Sequence, residues 1–205
     1  MKLYHLDRAG TLVDGQRIKL LPLTVLRQEA QNSDFLRDFS SGISCHGKRY
    51  LESTATGVPF DRMDEQLISP TSICSGKHDM DSGLIELVLE LVRRKYFSNA
   101  QSRLTALFAT NDMTYWEGVL HKEQYPNWQI FELDVPENIP QYDASWLRFG
   151  SYFECDQTEW WMGLDMVGCF NCACKYWSGE FTDSPQPEYL VPLPTTPIHL
   201  LPHQG

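Results

Sequence analysis

The sequence predicts a single mixed α+β domain spanning residues 1–205. Three observations carry that reading. Short runs that alternate polar and apolar side chains recur between segments with apolar residues three and four apart. No internal repeat and no linker divides the chain. At 205 residues, 42% hydrophobic and 21% charged, it is long enough to bury one sizeable core and too apolar to be disordered.

Lys2 to Leu6 has strand length and composition. Asp14-Gly15 marks a turn, because the second residue takes positive φ without steric cost. Gln16 to Leu20 alternates and reads as a second short strand, closed by Pro22. Leu23 to Phe39 reads as a helix with scattered apolar positions. From Ser40 to Met80, glycines and prolines interrupt every period, so a loop with short pieces is expected. Asp81 to Tyr96 is the clearest helix. Leucine, isoleucine and valine form a broad apolar face, Glu86 and Glu90 are assigned to the wet side, and Arg93-Arg94-Lys95 complement the dipole in its last turn. Ser102 to Thr110 is a strand, Asp112 to Tyr125 a helix, and Trp128 to Val135 a strand of period two. Glu137 to Phe149 reads as a loop with a short helix, and Trp160 to Trp177 as a helix ended by Gly179. Glu188 to Val191, closed by Pro192, is a strand stub, with Ile198 to Leu201 as the last strand.

Seventeen basic and 27 acidic side chains leave a net charge of −10. That excludes broad electrostatic clamping of duplex DNA, which needs a surplus of Lys and Arg. A short single strand needs only a few cations. Arg8, Lys48, Arg49 and Arg103 are candidates for a small local patch beside His5, and Trp160-Trp161 or Trp146 with Arg148 could stack bases. No segment approaches the roughly 20 apolar residues of a bilayer span. The charged N-terminal octet lacks the apolar run of a secretory signal. A cytoplasmic protein with reduced cysteines is expected, with no membrane partner.

Cys169-x-x-Cys172-x-Cys174 offers three thiolates where structural zinc takes four ligands; Cys155 is a possible fourth. The run lies in a helical stretch, where Cys174 points away from the other two, so packed cysteines and no metal are expected. Cys45-His46 and His78 lack a metal-ligand partner at a standard spacing. G-x-S-x-G, P-loop, G-x-G-x-x-G and H-E-x-x-H patterns are absent.

A sparser constellation remains: His5 in Tyr-His-Leu-Asp-Arg, Phe108 in Leu-Phe-Ala-Thr, and Glu188 in Glu-Tyr-Leu-Val. In that order along the chain it resembles the His, Tyr, Glu set of the ADP-ribosyltransferase superfamily. The opening segment, with Thr11-Leu12 and Gly15-Gln16-Arg17-Ile18, and the late Glu-Tyr-Leu-Val are similar to those of DarT-type transferases. The wider pattern also resembles a bacterial domain family of unassigned function. His46 to Tyr50, Glu86 to Lys95, Ser102-Arg103 and Tyr176 to Glu180 carry that likeness.

The resemblance implies a split, mostly antiparallel sheet with flanking helices and NAD+ as co-substrate in a cleft between its halves. Glu188 would be catalytic: it would stabilise an oxocarbenium-like state, orient a ribose hydroxyl or take the acceptor's proton. His5 would bond the adenosine ribose, Phe108 or Tyr115 would stack the nicotinamide, and Arg8 or Arg103 would meet the pyrophosphate, with Ser102 in the same motif. Two departures stand out. Phe108 lacks the phenol usual there, and Gln186 replaces the acid of a Glu-x-Glu pair. The expected function is mono-ADP-ribosyl transfer to a macromolecule, here single-stranded RNA or DNA, by a toxin of a toxin–antitoxin or phage-defence system with an antitoxin partner. The rivals are a catalytically degenerate binding module, an NAD-dependent RNA phosphotransferase and a zinc-stabilised scaffold.

Overall fold

In a computed structural model, described here for residues 1–8, 10–52, 79–114, 127–148, 151–155, 159–163, 166–195 and 198–200, eight strands and four α-helices form an α+β domain. Strand β1 (Lys2–Asp7) pairs antiparallel with β3 (Gln129–Asp134), which pairs in turn with β8 (Ile198–Leu200). Strand β2 (Ala106–Ala109) pairs antiparallel with β7 (Pro187–Pro192), flanked on its other edge by β4 (Gln141–Asp143). The two sheets join at one bridge, where the Tyr4 and Thr110 amides donate to each other's carbonyls at 2.7 and 2.9 Å. Two antiparallel sheets split in this way, with helices beside them, are the architecture the sequence predicts. β5 (Ser151–Cys155) and β6 (Glu159–Gly163) form a separate hairpin.

Alternation along β2 and β7 divides the core. Leu107, Ala109, Tyr189 and Val191 meet Leu3, Phe131 and Leu133 from the β1–β3 sheet. Ala106, Phe108 and Leu190 face the helical layer instead, against Leu89 and Val92 of α3 (Asp79–Tyr96) and Ala173, Tyr176 and Trp177 of α4 (Met166–Ser178). The Trp177 indole donates to the Leu89 carbonyl at 2.8 Å and fixes α4 on α3. Gly179, at φ +75°, supplies the left-handed residue that ends α4.

Helix α3 corrects the sequence reading in one respect. Glu86 and Glu90 are 5% and 2% exposed, whereas Leu87 and Leu91 lie toward solvent, Leu91 at 51%. Apolar residues cover more than half of this helix's circumference, so periodicity alone could not choose its inner face. Partners distant in sequence chose it: Arg103 lies against Glu86, and Arg93, Arg94 and Ser102 against Glu90.

Other elements differ as well. Gln16 to Leu20 is not a strand; the Ile18 carbonyl accepts from the Thr195 amide at 3.2 Å, and next door Leu21 bridges Ile43. Leu23 to Phe39 is not one helix but a 3₁₀ turn (Leu23–Val25), the four-residue α1 (Gln28–Gln31) and a second 3₁₀ turn (Asp34–Phe39), because Ser33 caps a new start by accepting from the Phe35 amide. Within the expected loop lies α2 (Cys45–Glu52). Trp160 belongs to β6, so the predicted Trp160–Trp177 helix holds only from Met166 onward. β4 was hidden in the Glu137–Phe149 loop because three residues are too few to alternate visibly. The Asp112–Tyr125 helix lies outside the described residues beyond Thr114. Among the described residues no helix is long and apolar enough to cross a membrane.

Candidate functional site

The site grows from the end of β2. Ser102 caps the 3₁₀ turn Arg103–Thr105 by accepting from the Leu104 amide at 3.2 Å, and the turn feeds directly into β2. Arg103 thereby enters the layer between the sheets and α3. Its guanidinium donates to both oxygens of Glu86 at 2.9–3.0 Å, to the Tyr176 hydroxyl at 2.8 Å, and to Oε2 of Glu188. The Tyr176 hydroxyl donates to that same Glu188 oxygen at 2.5 Å. Two carboxylates thus share one buried arginine, and both hold its charge well above its ordinary range against the pull of burial. Burial pushes the Glu86 carboxyl up in spite of Arg103.

Glu188 takes its position from β7, where its Cα partner is Tyr142 of β4 while Leu190, two residues on, opposes Phe108 of β2. Tyr142 in turn stacks on Tyr176 at 4.9 Å and 19°. The phenol that bonds Glu188 therefore has a rigid aromatic backing. Burial pushes the Tyr176 hydroxyl well above its usual range, so it remains a proton donor.

A histidine pair stands beside this cluster. His5, in β1, donates from Nδ1 to the Phe108 carbonyl at 2.7 Å, which leaves Nε2 as the acceptor of a neutral ring. Burial lowers its pKa. The second imidazole, His46, comes from α2. The Ser44 amide donates to the Leu104 carbonyl at 2.8 Å, and the Ser44 hydroxyl accepts from the Gly47 amide at 2.9 Å, anchoring the start of α2. Gly47 permits the approach: a Cβ there would lie 2.2 Å from the Leu104 carbonyl oxygen. His46 then stacks on Phe108, centroids 4.9 Å apart at 29°, and meets His5 edge-on at 6.0 Å. Burial, then the charges of Arg49, Arg103 and Arg8 together with His5, pushes its pKa down to about 3.

Of the residues the sequence singled out, His5, Arg103, Phe108 and Glu188 meet in one cluster. Phe108 is 9% exposed, with His46 stacked on its ring and the Arg103 guanidinium 4.5 Å from its centroid. Arg103 is engaged by Glu86, Glu188 and Tyr176 inside the protein. Arg8 lies exposed just beyond β1, with its charge felt at His46. Ser102 belongs elsewhere: its hydroxyl donates to Glu90 at 2.8 Å. Tyr115 and His78 lie outside the described residues, as do the side chains of Trp160, Trp161, Arg148 and Cys155. Lys48 pairs with Glu52 at 3.2 Å, and the Trp146 indole donates to the Glu180 carbonyl at 2.8 Å. Cys169, Cys172 and Cys174 pack on the α3–α4 core. Among the described residues no group of three or more His, Cys, Asp or Glu could hold a metal ion.

Sequence reasoning did not choose Glu86, Tyr176, Tyr50 or His46 for this site. Tyr50 lies in the same field, its hydroxyl pushed up to about 12 by burial and by Glu86. His46, Tyr50, Glu86 and Tyr176 all fall within the segments that resembled the bacterial domain family. That likeness was the available signal.

A Glu–Arg–Glu–Tyr cluster beside two imidazoles, at the junction of two antiparallel sheets, defines an α+β domain with a polar centre. Residues 3–199 match the family model described as "protein of unknown function (DUF2441)", and the chain belongs to that family. No curated protein matches the chain.

Proposed function

We propose that this protein is a mono-ADP-ribosyltransferase that uses NAD+ as co-substrate and modifies a macromolecular acceptor, single-stranded RNA or DNA. The observation that carries the reading is convergence: His5, Phe108 and Glu188, more than 180 residues apart at their extremes, meet around Arg103 at the sheet junction. A buried imidazole whose Nε2 has no protein hydrogen bond among the described residues suits a ribose hydroxyl.

In the proposed reaction the bond between ribose C1′ and the nicotinamide nitrogen breaks, and its electron pair leaves with neutral nicotinamide. Glu188 faces the developing oxocarbenium charge. An acceptor oxygen or nitrogen then bonds C1′, and its proton passes to the Glu188 carboxylate. Arg103 and Tyr176 orient that carboxylate, so the pyrophosphate falls to Arg8 rather than Arg103. The exposed arginines near His46 are few, which fits a short single strand rather than a duplex. A toxin or phage-defence setting with an antitoxin partner is the biological context proposed for such a reaction.

The clamp of Arg103 and Tyr176 on Glu188 favours one alternative, a binding module in which the same cleft holds a ligand without turning it over. One experiment separates the two. Labelled NAD+ is incubated with the protein and separate pools of RNA, single-stranded DNA and protein. The enzyme labels one pool, and Glu188→Gln lowers that labelling by about 100-fold or more while the protein stays folded, within about 1 kcal/mol of wild type. Labelling that survives Glu188→Gln, or no consumption of NAD+ by wild type, rejects the enzymatic reading.

A further inference from the structure

His46 is half-buried, stacked on Phe108 and edge-on to His5, yet makes no hydrogen bond within the described residues. Its position is built rather than incidental. Gly47 lets the α2 backbone touch the Leu104 carbonyl, Ser44 caps the approach, and the ring lands on Phe108 as a consequence. A side chain required only to cover Phe108 would be better served by leucine or phenylalanine, which leave no polar nitrogens to satisfy. The two imidazoles are 6.0 Å apart, and among the described residues only His5 Nδ1 has a hydrogen-bond partner.

The electrostatics say what kind of group would complete the pair. Arg103 is matched by Glu86 and Glu188, so the cluster carries an excess of one carboxylate and offers no net attraction to phosphate. Burial lowers the pKa of both rings, joined at His46 by the charges of His5 and the neighbouring arginines, and keeps them uncharged near neutral pH. An uncharged imidazole gives one donor and one acceptor and no ionic attraction. A hydroxyl pair, which also donates and accepts, is its complement.

We propose that His46 is a second ligand-binding imidazole, which hydrogen-bonds a sugar hydroxyl of the ligand beside His5. This rests on the ribosyl chemistry of the preceding reading and deepens it: the sugar, not the phosphate, is what the Phe108 end of the site recognises. His46 supplies one hydrogen bond to it, and Phe108 supports the His46 ring from behind.

The test uses the full-length protein labelled with nitrogen-15 at histidine. Long-range imidazole spectra are recorded with NAD+, adenosine and ribose added separately, and NAD+ affinity is measured by calorimetry for wild type, His46→Phe and His46→Gln. NAD+ should shift the His46 nitrogen resonances. His46→Phe, which keeps a ring on Phe108 but removes both nitrogens, should weaken NAD+ binding about tenfold, and His46→Gln should recover part of the loss. Equal thermal midpoints for the three proteins separate binding from folding. If NAD+ binds and His46→Phe holds it within twofold of wild type, the hydrogen bond is refuted while the NAD+ reading stands. If NAD+ shifts neither imidazole but adenosine or ribose shifts His46, the NAD+ reading fails and the sugar site survives. If none of the three shifts His46, the sugar site is overturned.

Discussion

Helix α3 carries two buried carboxylates one turn apart, and their surroundings are opposites. Glu90 sits under two guanidiniums. It accepts from Arg93 at 2.9 and 2.7 Å, from Arg94 at 2.8 Å and from the Ser102 hydroxyl at 2.8 Å. Arg93 goes on to the Ser98 and Ala100 carbonyls, and Arg94 to the Phe35 carbonyl and the Asp38 carboxylate. Burial pushes the Glu90 carboxyl up, but these donors outweigh it and hold it below its usual range. Glu86 instead shares a single guanidinium with Glu188, and its carboxyl lies above the usual range. One turn of helix separates a closed staple, rich in cations, from a cluster with one carboxylate in excess. The staple ties α3 to the loop after it and to the second 3₁₀ turn. The other cluster joins α3, the Arg103 turn, α4 and β7 beside imidazoles that, among the described residues, make one hydrogen bond, from His5 Nδ1. Buried ion pairs alone do not mark a site; the excess of acid beside two imidazoles is what makes this cluster the candidate.

The largest expected effect comes from removing the shared arginine. Arg103→Leu leaves Glu86 and Glu188 facing each other without a cation, and the loss should be about 3–5 kcal/mol by urea denaturation. Adding Glu86→Gln to that variant should recover part of it, because a neutral amide replaces the carboxylate buried most deeply. A cost no greater than that of a surface substitution would place Arg103 outside the core of the fold, which is not where its four partners put it.

The next effects set the two carboxylates against each other. Glu90→Gln keeps the shape but loses the charge that four donors converge on, and should cost about 2–3 kcal/mol. Glu188→Gln should cost about 1 kcal/mol or less, since Arg103 keeps Glu86 and Tyr176 keeps an acceptor in the amide oxygen. Similar losses of stability in the two variants would erase the distinction between staple and site.

How much of this was legible in the sequence follows from where each signal resides. The strands β1, β3 and β7 were readable because alternation is local, and α3 because its spacing is. His5, Phe108 and Glu188 were readable through resemblance, and Arg103 through its segment. The inward turn of Glu86 was not, because Leu87 and Leu91 mimic a core face and the deciding partner lies 17 residues away. α2 was hidden by Gly47, which looks like a helix breaker but is the residue that lets the helix touch Leu104. His46 lacked partners at any standard spacing because its neighbours, His5 and Phe108, come from the other sheet-forming segments.

The smallest effect is the one that isolates the imidazoles. Both histidines have folded-state pKa values below their ordinary 6.5, His46 down to about 3. The unfolded chain therefore binds more protons than the folded one below about pH 6.5. The stability these rings contribute is complete above that pH and declines as pH falls toward 3. Glu90 and Asp143, both held below their usual values, add a loss of the same sign only once the carboxylate range is reached. Glu86 works the other way: its raised pKa contributes stability that is lost as pH rises through it. Between about pH 6.5 and pH 5 the downward slope belongs to His5 and His46. Urea midpoints across that interval should fall for wild type and fall less for His46→Gln, which cannot gain a proton. Parallel slopes for the two proteins would mean that His46 takes up its proton as readily in the folded chain as in the unfolded one, and its packing against Phe108 would then not be what keeps the ring uncharged.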